Sequence, residues 1–289
     1  MITINASEIA ALVGKNPYKD PEEAIQNVLN RNVHHTPDVE TQRALDICKE
    51  SKEAQRLHQE MTARSRHTTS SSDAARVKTD YHSSIDSLET TKLKQLAESH
   101  ESRVKEIDAE FGDKINTACT RGQKTLVEAA RMDARAAVDI EISSKSEKIK
   151  SDMSHMKNVG TRKTNTSFGT RHEDSVGDMY EAQTGLKINK DNIRKYWEFM
   201  PGFGIVGYFD GFNEEGTLVE IKNRMRRLFG KVVDYEKVQV HVYMAMARKT
   251  NAQLIERFQD QIQIHEIEYD QEFMGGVMNE LKDICKSYF

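Results

Sequence analysis

The residues best suited to chemistry lie in the last third of the chain. Gly207-Tyr208-Phe209-Asp210-Gly211 is followed, ten residues after Asp210, by Val219-Glu220-Ile221-Lys222. Side chains alternate along an extended strand, so Glu220 and Lys222 share one face while Val219 and Ile221 point to an apolar layer on the other. Asp210, with Gly211 permitting a tight turn, comes beside Glu220 if the two segments form a hairpin. Carboxylates held together repel, and a divalent cation relieves that repulsion; an all-oxygen donor set favours magnesium or manganese. Such an ion polarises a phosphate and acidifies a bound water, while Lys222 orients the water or neutralises developing charge. The same residues also suit a plain cross-strand salt bridge, which contributes little. Downstream, Arg224, Arg226, Arg227 and Lys231 form a basic cluster. A phosphate backbone is bound by charge rather than by base-reading groups, so the cluster suits nucleic acid, with a solvated loop as its alternative. Lys157, Arg162, Lys163 and Arg171 are further candidates for the same groove.

Strands must carry the acids and helices must close around them, and the surrounding pattern supplies both. Ile2 opens an extended stretch; Asn5 and Ser7 then offer capping oxygens to a helix over Ile9, Ala10, Leu12 and Val13 that Gly14 ends. Asn16-Pro17 and Asp20-Pro21 mark turns, and a second helix starts at Pro21 with Glu22 and Glu23 in its first turn. From about residue 36 to 157 Ser, Thr, Lys, Glu and Ala dominate. There Ile85, Leu88, Leu93, Leu96, Val104, Ile107, Phe111, Ile115 and Ala118 recur mostly three or four apart, the stripe of a long helix in a hairpin or coiled-coil arm. The run HTTSSSDAA from His67 lacks an apolar period and breaks or caps the helices, and Gly122 marks a second bend. After Gly160 the pattern changes: a helix from Phe168 to Gly185, then strands from Tyr196 to Phe199, Gly204 to Phe209 and Leu218 to Asn223. A helix from Tyr235 to Arg248, strands from Gln253 to Phe258 and Ile262 to Tyr269, and a helix from Glu272 to Tyr288 follow. This is an α/β arrangement with a mixed or mostly antiparallel sheet. The expected organisation has residues 1–35 and 158–289 as one core and 36–157 inserted as a helical arm.

Composition narrows the class. With 37% hydrophobic and 30% charged residues and four prolines, the chain suits a folded, helix-rich protein. No apolar run reaches the roughly 20 residues of a membrane helix, and the first residues lack the basic start of a secretory signal. The expectation is an intracellular, non-secreted protein with no membrane partner. Cys48, Cys119 and Cys285 are far apart and form no C-x-x-C pair, so neither a disulfide framework nor a zinc knuckle is indicated. A formal net charge of −4 excludes a surface that is basic throughout, so any nucleic-acid site must be local. His34 and His35 lack a third ligand and read as a loop pair. Trp197, Tyr208, Phe209 and Phe212 suit base stacking or core packing, the latter especially for Phe209.

The D-G and E-I-K segments together resemble the PD-(D/E)XK nuclease superfamily, and further segments resemble its lambda-exonuclease and YqaJ-like viral recombinase branch. Ile4-Asn5-Ala6-Ser7-Glu8-Ile9 looks like the branch's "T-A-S-E" helix start, and Phe168-Gly169-Thr170-Arg171-His172-Glu173 like its "G-x-x-x-E" helix. Tyr180-Glu181 with Thr184-Gly185 follows as in that branch, and Val238-Gln239 with Tyr243 resembles its "V-Q-x-x-x-(aromatic)" helix, the last two residues sharing a face. The resemblance covers residues 1 to about 30 and about 160 to 289; the arm has no counterpart in compact members, and no Trp- and Arg-bearing segment precedes Ser7.

The resemblance implies a restriction-endonuclease-like core, a central mixed sheet flanked by helices. It further implies Mg2+, with Mn2+ substituting, held by Asp210, Glu220 and the Ile221 carbonyl. Glu173 is then an outer or second-metal ligand, Lys222 the water-orienting base or stabiliser, and Gln239 their support. Ser7, Arg171, Arg224, Arg226, Arg227, Lys231 and Tyr243 become contacts to DNA. The implied reaction is phosphodiester hydrolysis, usually exonucleolytic on duplex DNA, in viral or phage recombination or replication, in host cytoplasm or nucleus. A homo-oligomer and a protein partner for the arm are compatible with it. A structure-selective or nicking endonuclease is one alternative; a DNA-binding or assembly protein, with the nuclease fold as scaffold and the arm as working part, is another.

Overall fold

A computed structural model describes residues 1–171, 173–190 and 193–289, apart from the side chains of residues 170, 171, 173 and 174. The described residues form two compact units, one of residues 1–43, 65–75 and 163–289 and one of residues 44–64 and 76–162.

The first unit begins with strand β1 (Ile2–Asn5), a tight turn over Ala6–Glu8 and the short helix α1 (Ile9–Leu12). Gly14 follows with φ of 65°, the left-handed conformation that a side chain disfavours. Helix α2 (Pro21–Leu29) starts on Asp20, whose carboxylate accepts the Glu22 N–H at 3.0 Å, with Pro21 in the first position, where no N–H is needed.

Helix α3 (Val39–Glu50) enters the second unit, which holds helix α4 (Lys52–Ser65) and most of the long helices α5 (Ser71–Thr117) and α6 (Arg121–Arg171). The chain reverses at Cys119 and Thr120: Thr120 caps the Gln123 N–H, and Gln123 Oε1 accepts from both Cys119 and Thr120. The bend thus precedes Gly122, which lies inside α6. Arg103–Glu141, Arg135–Asp108 and Lys157–Asp86 ion pairs run in antiparallel register between α5 and α6. Tyr81 and Ile85 pack with Met153 and Met156 and with Ile47, Leu57 and Met61. Gly160 is not a boundary but an interior residue of α6. The Tyr81 ring lies where its side chain would be, so glycine is there for close approach. From Leu93 outward the apolar stripe is only half-buried, because two helices alone cannot enclose it. Lys157, a candidate for a DNA groove, is instead spent on Asp86 within this hairpin.

Back in the first unit come helix α7 (Glu173–Thr184), ended by Gly185 at φ of 76°, and strands β2 (Ile188–Asn189), β3 (Arg194–Met200), β4 (Phe203–Tyr208), β5 (Gly211–Asn213) and β6 (Leu218–Asn223). Helix α8 (Asp234–Ala247), strands β7 (Asn251–Phe258) and β8 (Gln261–Glu268) and helix α9 (Gln271–Tyr288) complete it. Within the helix expected from Phe168 to Gly185, Phe168–Arg171 lie in α6 and Glu173–Thr184 form α7. Among the described residues the strands form sheets of order β1-β4-β3 and β2-β5-β6-β7-β8, with β6 parallel to β7 and β1 parallel to β4. The protein is therefore mixed α/β, a mixed sheet flanked by helices plus a long helix pair. On β6, Val219 and Ile221 pack with Val176, Tyr180 and Ile255 under α7, while Leu218 joins Val238, Val242 and Leu254 under α8. The alternation of β6 thus turns Glu220 and Lys222 toward α8.

Candidate active site

Asp210 lies between two short strands rather than at the tip of a simple hairpin. The segment ending in Phe209 pairs with β3 and β1, whereas β5 pairs antiparallel with β6, Gly211 opposite Val219. Gly211 is needed for approach rather than for a turn: a Cβ there would meet the Asn189 carbonyl oxygen at 2.8 Å. Crossing from one sheet to the other brings the Asp210 carboxylate to β6, where Oδ2 accepts the Ile221 N–H at 2.6 Å.

Glu220 is 3% exposed. Its Oε1 accepts from Lys222 Nζ at 2.6 Å and from Gln239 Nε2 at 3.0 Å, and Gln239 Oε1 accepts from Lys222 Nζ at 3.1 Å. Gln239 Nε2 also donates to Tyr243 Oη at 3.0 Å, so one face of α8 fixes the amide. Glu220 Oε2 is buried with no hydrogen-bond partner. Burial, reinforced by the Asp210 carboxylate, pushes the Glu220 carboxyl up to about 8 despite Lys222. Burial also raises Asp210, opposed by the Ile221 N–H, by Lys222 and Lys190, and by a hydrogen bond from the Glu220 carboxyl when that group is protonated. For Lys222 burial disfavours charge, but the Glu220 and Asp210 carboxylates outweigh it and its pKa rises, so it stays an ammonium.

A buried carboxylate oxygen with no donor, beside a second carboxylate, fits a divalent cation better than a finished salt bridge. Among the described residues no group of three His, Cys, Asp or Glu side chains is arranged to hold a metal. Glu173 and Arg171 were the other candidates here; both side chains lie outside the described residues.

The remaining candidates divide sharply. Arg226, Arg227 and Lys231 are exposed on the segment between β6 and α8, and Ser7 is exposed on the turn before α1. Arg224 does not belong with them. Its side chain is 10% exposed and bonds Glu236 at 2.6 and 2.9 Å and Glu256 at 2.5 Å, so its charge is already neutralised. Tyr243 is likewise no surface contact: it is 4% exposed and packs edge-on against Phe209 with ring centroids 4.9 Å apart. Its hydroxyl holds Gln239 instead. Glu236 and Glu256 were missed as members of this neighbourhood, though both left a signal. Glu236 precedes Gln239 by three on α8, and Glu256 is an acid directly after the apolar pair Leu254-Ile255, in register with Lys222.

No family model matches the chain, and no curated protein matches it. Among solved structures it is similar to SSO0001, at 16% identity over 42% of this chain and 59% of that one with a TM-score of 0.34. It is also similar to an alkaline exonuclease, LHK-Exo, from Laribacter hongkongensis, at 18% identity over 43% of this chain and 68% of that one with a TM-score of 0.37. The shared region thus spans less than two thirds of SSO0001, and overlap of this extent assigns no activity.

Proposed function

We propose that this protein is a metal-dependent deoxyribonuclease that hydrolyses phosphodiester bonds, with Asp210, Glu220 and the Ile221 carbonyl as ligands of a magnesium or manganese ion. The observation that supports it most is the buried, unpartnered Oε2 of Glu220 next to the Asp210 carboxylate. A bound divalent ion supplies Lewis acidity toward a phosphate oxygen and toward a water. The chain's own residues do the rest. Lys222 holds its proton at Nζ within reach of the site and offsets charge developing on the phosphate. Gln239 keeps Lys222 and Glu220 in one orientation, and Tyr243 keeps Gln239. Glu173 is the acid proposed to complete the ligand set. Arg226, Arg227 and Lys231 bind backbone phosphates, a contact that weakens steeply with salt.

The test is digestion of linear duplex, closed circular duplex and single-stranded DNA with Mg2+ or Mn2+, using wild type, Asp210→Asn and Lys222→Ala. Wild type is expected to degrade linear DNA, and both variants to fold normally and cut nothing. Wild-type cutting by either variant removes the assignment. Degradation of closed circles identifies an endonuclease rather than an exonuclease.

A further inference from the structure

Strand β3 is an edge strand paired only with β4 among the described residues, and the outer face of this pair is aromatic. Tyr208 is 56% exposed and Tyr196 is 51% exposed. Arg194 is opposite Tyr208 and Tyr196 opposite Val206, so the two tyrosines are diagonal neighbours on one face. Two local features hold the rings in place. A Cβ at Gly204 would coincide with the Tyr196 ring, so that ring packs against the β4 backbone, and its hydroxyl donates to Met1 Sδ at 2.8 Å. The Arg194 guanidinium sits over the Tyr208 ring, 5.9 Å from its centroid.

An exposed pair of large aromatic rings on a rigid sheet carries a hydration cost that a core does not need. Flat rings beside cations match one kind of partner. Every nucleobase has a π-face, and its backbone brings negative charge to an arginine. Duplex bases have their faces covered by their neighbours, so the match is to unpaired bases. Position supports this: Tyr208 is two residues before Asp210. Glu198 is exposed on the same face nearer the end of β3, so that end carries negative charge and Arg194 the positive end.

We infer that the β3–β4 face is a stacking platform for single-stranded DNA, with Tyr208 and Tyr196 taking successive bases and Arg194 their phosphates. The inference rests on the nuclease reading for its purpose, since Tyr208 stands two residues before the proposed ligand Asp210, but its test needs no cleavage. Fluorescent oligothymidylate and an abasic strand of equal length are titrated with the full chain in EDTA at several salt concentrations. Wild type is expected to bind thymidylate at least tenfold more tightly than the abasic strand. Tyr208→Ala and Tyr196→Leu should each lower thymidylate affinity about tenfold and leave abasic binding and the salt slope unchanged. Tyr208→Phe should bind as wild type. Arg194→Gln should weaken both strands and reduce the salt slope. The inference is overturned if wild type does not discriminate the two strands, or if Tyr208→Ala binds thymidylate as tightly as wild type. Tyr208→Ala decides alone should Tyr196→Leu melt early through loss of its cover over Gly204. A protein that discriminates the strands but cuts nothing in Mg2+ sinks the nuclease reading and leaves the platform; one that cuts without discriminating does the reverse.

Discussion

Strand β6 and the segment after it carry two cations two residues apart, and each faces two acids. Arg224 bonds Glu236 and Glu256 with its guanidinium, and Glu256 further accepts from the Phe229 and Gly230 N–H groups and meets His265 at 3.2 Å. Burial alone would raise Glu256, yet the Gly230 N–H, Arg224 and His265 together bring it below its ordinary value. Lys222 has the same kind of neighbours but a different outcome: Glu220 rises to about 8 and keeps an oxygen without a donor. The lesson is that buried charge by itself does not mark a site. One cluster is complete and fixes the loop bearing Arg226, Arg227 and Lys231. The other leaves one buried carboxyl oxygen without a donor, and that acceptor is what a divalent cation would satisfy.

Breaking the complete cluster should do the most damage. Arg224→Met leaves two buried carboxylates without their cation, and removal of one partner from such a pair costs about 3–5 kcal/mol. The expected result is a sharply lowered melting temperature in the presence or absence of Mg2+. Lys222→Met should cost far less, because Glu220 can take up a proton instead. Equal melting temperatures for the two variants would erase the distinction between the clusters.

Metal removal sharpens the same contrast. Mg2+ should raise the melting temperature of wild type, since a ligand that binds only the folded state stabilises it. Asp210→Asn and Glu220→Gln should abolish this increase. Asp210→Asn should also melt at or above wild type in EDTA, because it removes a buried charge, and Glu220→Gln should do so above about pH 8, where Glu220 is otherwise ionised. A full Mg2+ shift in Asp210→Asn would place the ion elsewhere.

How much of this contrast was readable in sequence follows from what each residue's partners are. The strand and helix assignments after Tyr196 needed only local alternation and period, and Asp210, Glu220, Lys222 and Gln239 converge because β6 and α8 each present one face. Arg224 was misread because its partners, Glu236 and Glu256, come from α8 and β7. A run of basic residues looks uniform until tertiary contacts remove one member from it. Tyr243 was misread for a related reason: helical spacing placed it beside Gln239 but could not say that Phe209 covers its ring. The crossing at Asp210 was hidden because β5 covers only Gly211–Asn213, too short for an alternation to register. Gly160 misled because a glycine signals a break and a close helix contact in the same way.

The pH dependence follows from the raised Glu220. A carboxyl whose folded pKa exceeds its unfolded value favours the protonated folded state, so its contribution to stability is present below the unfolded value of 4.5 and is lost as pH rises toward about 8. Metal-free wild type should therefore melt progressively lower across that window, and Glu220→Gln should show a flatter profile. Metal binding displaces the same proton, so apparent Mg2+ affinity should increase with pH up to about 8, with proton release at pH 7. An affinity independent of pH between 6 and 8 would contradict the coupling of Glu220 to the ion.

The smallest effect should come from the outermost member of the incomplete cluster. Tyr243→Phe keeps the ring against Phe209 and removes only the hydroxyl that Gln239 Nε2 reaches at 3.0 Å. Loss of one such hydrogen bond costs on the order of 1 kcal/mol in stability. If Tyr243 acts solely by orienting Gln239, the variant should cut DNA more slowly at saturating substrate, with an unchanged KM, because no contact to the DNA is lost. A raised KM with unchanged kcat would instead return Tyr243 to the DNA surface, against its burial. Gln239→Leu should slow cutting more and shrink the effect of Tyr243→Phe, since the hydroxyl then keeps only its contact with the Tyr208 backbone.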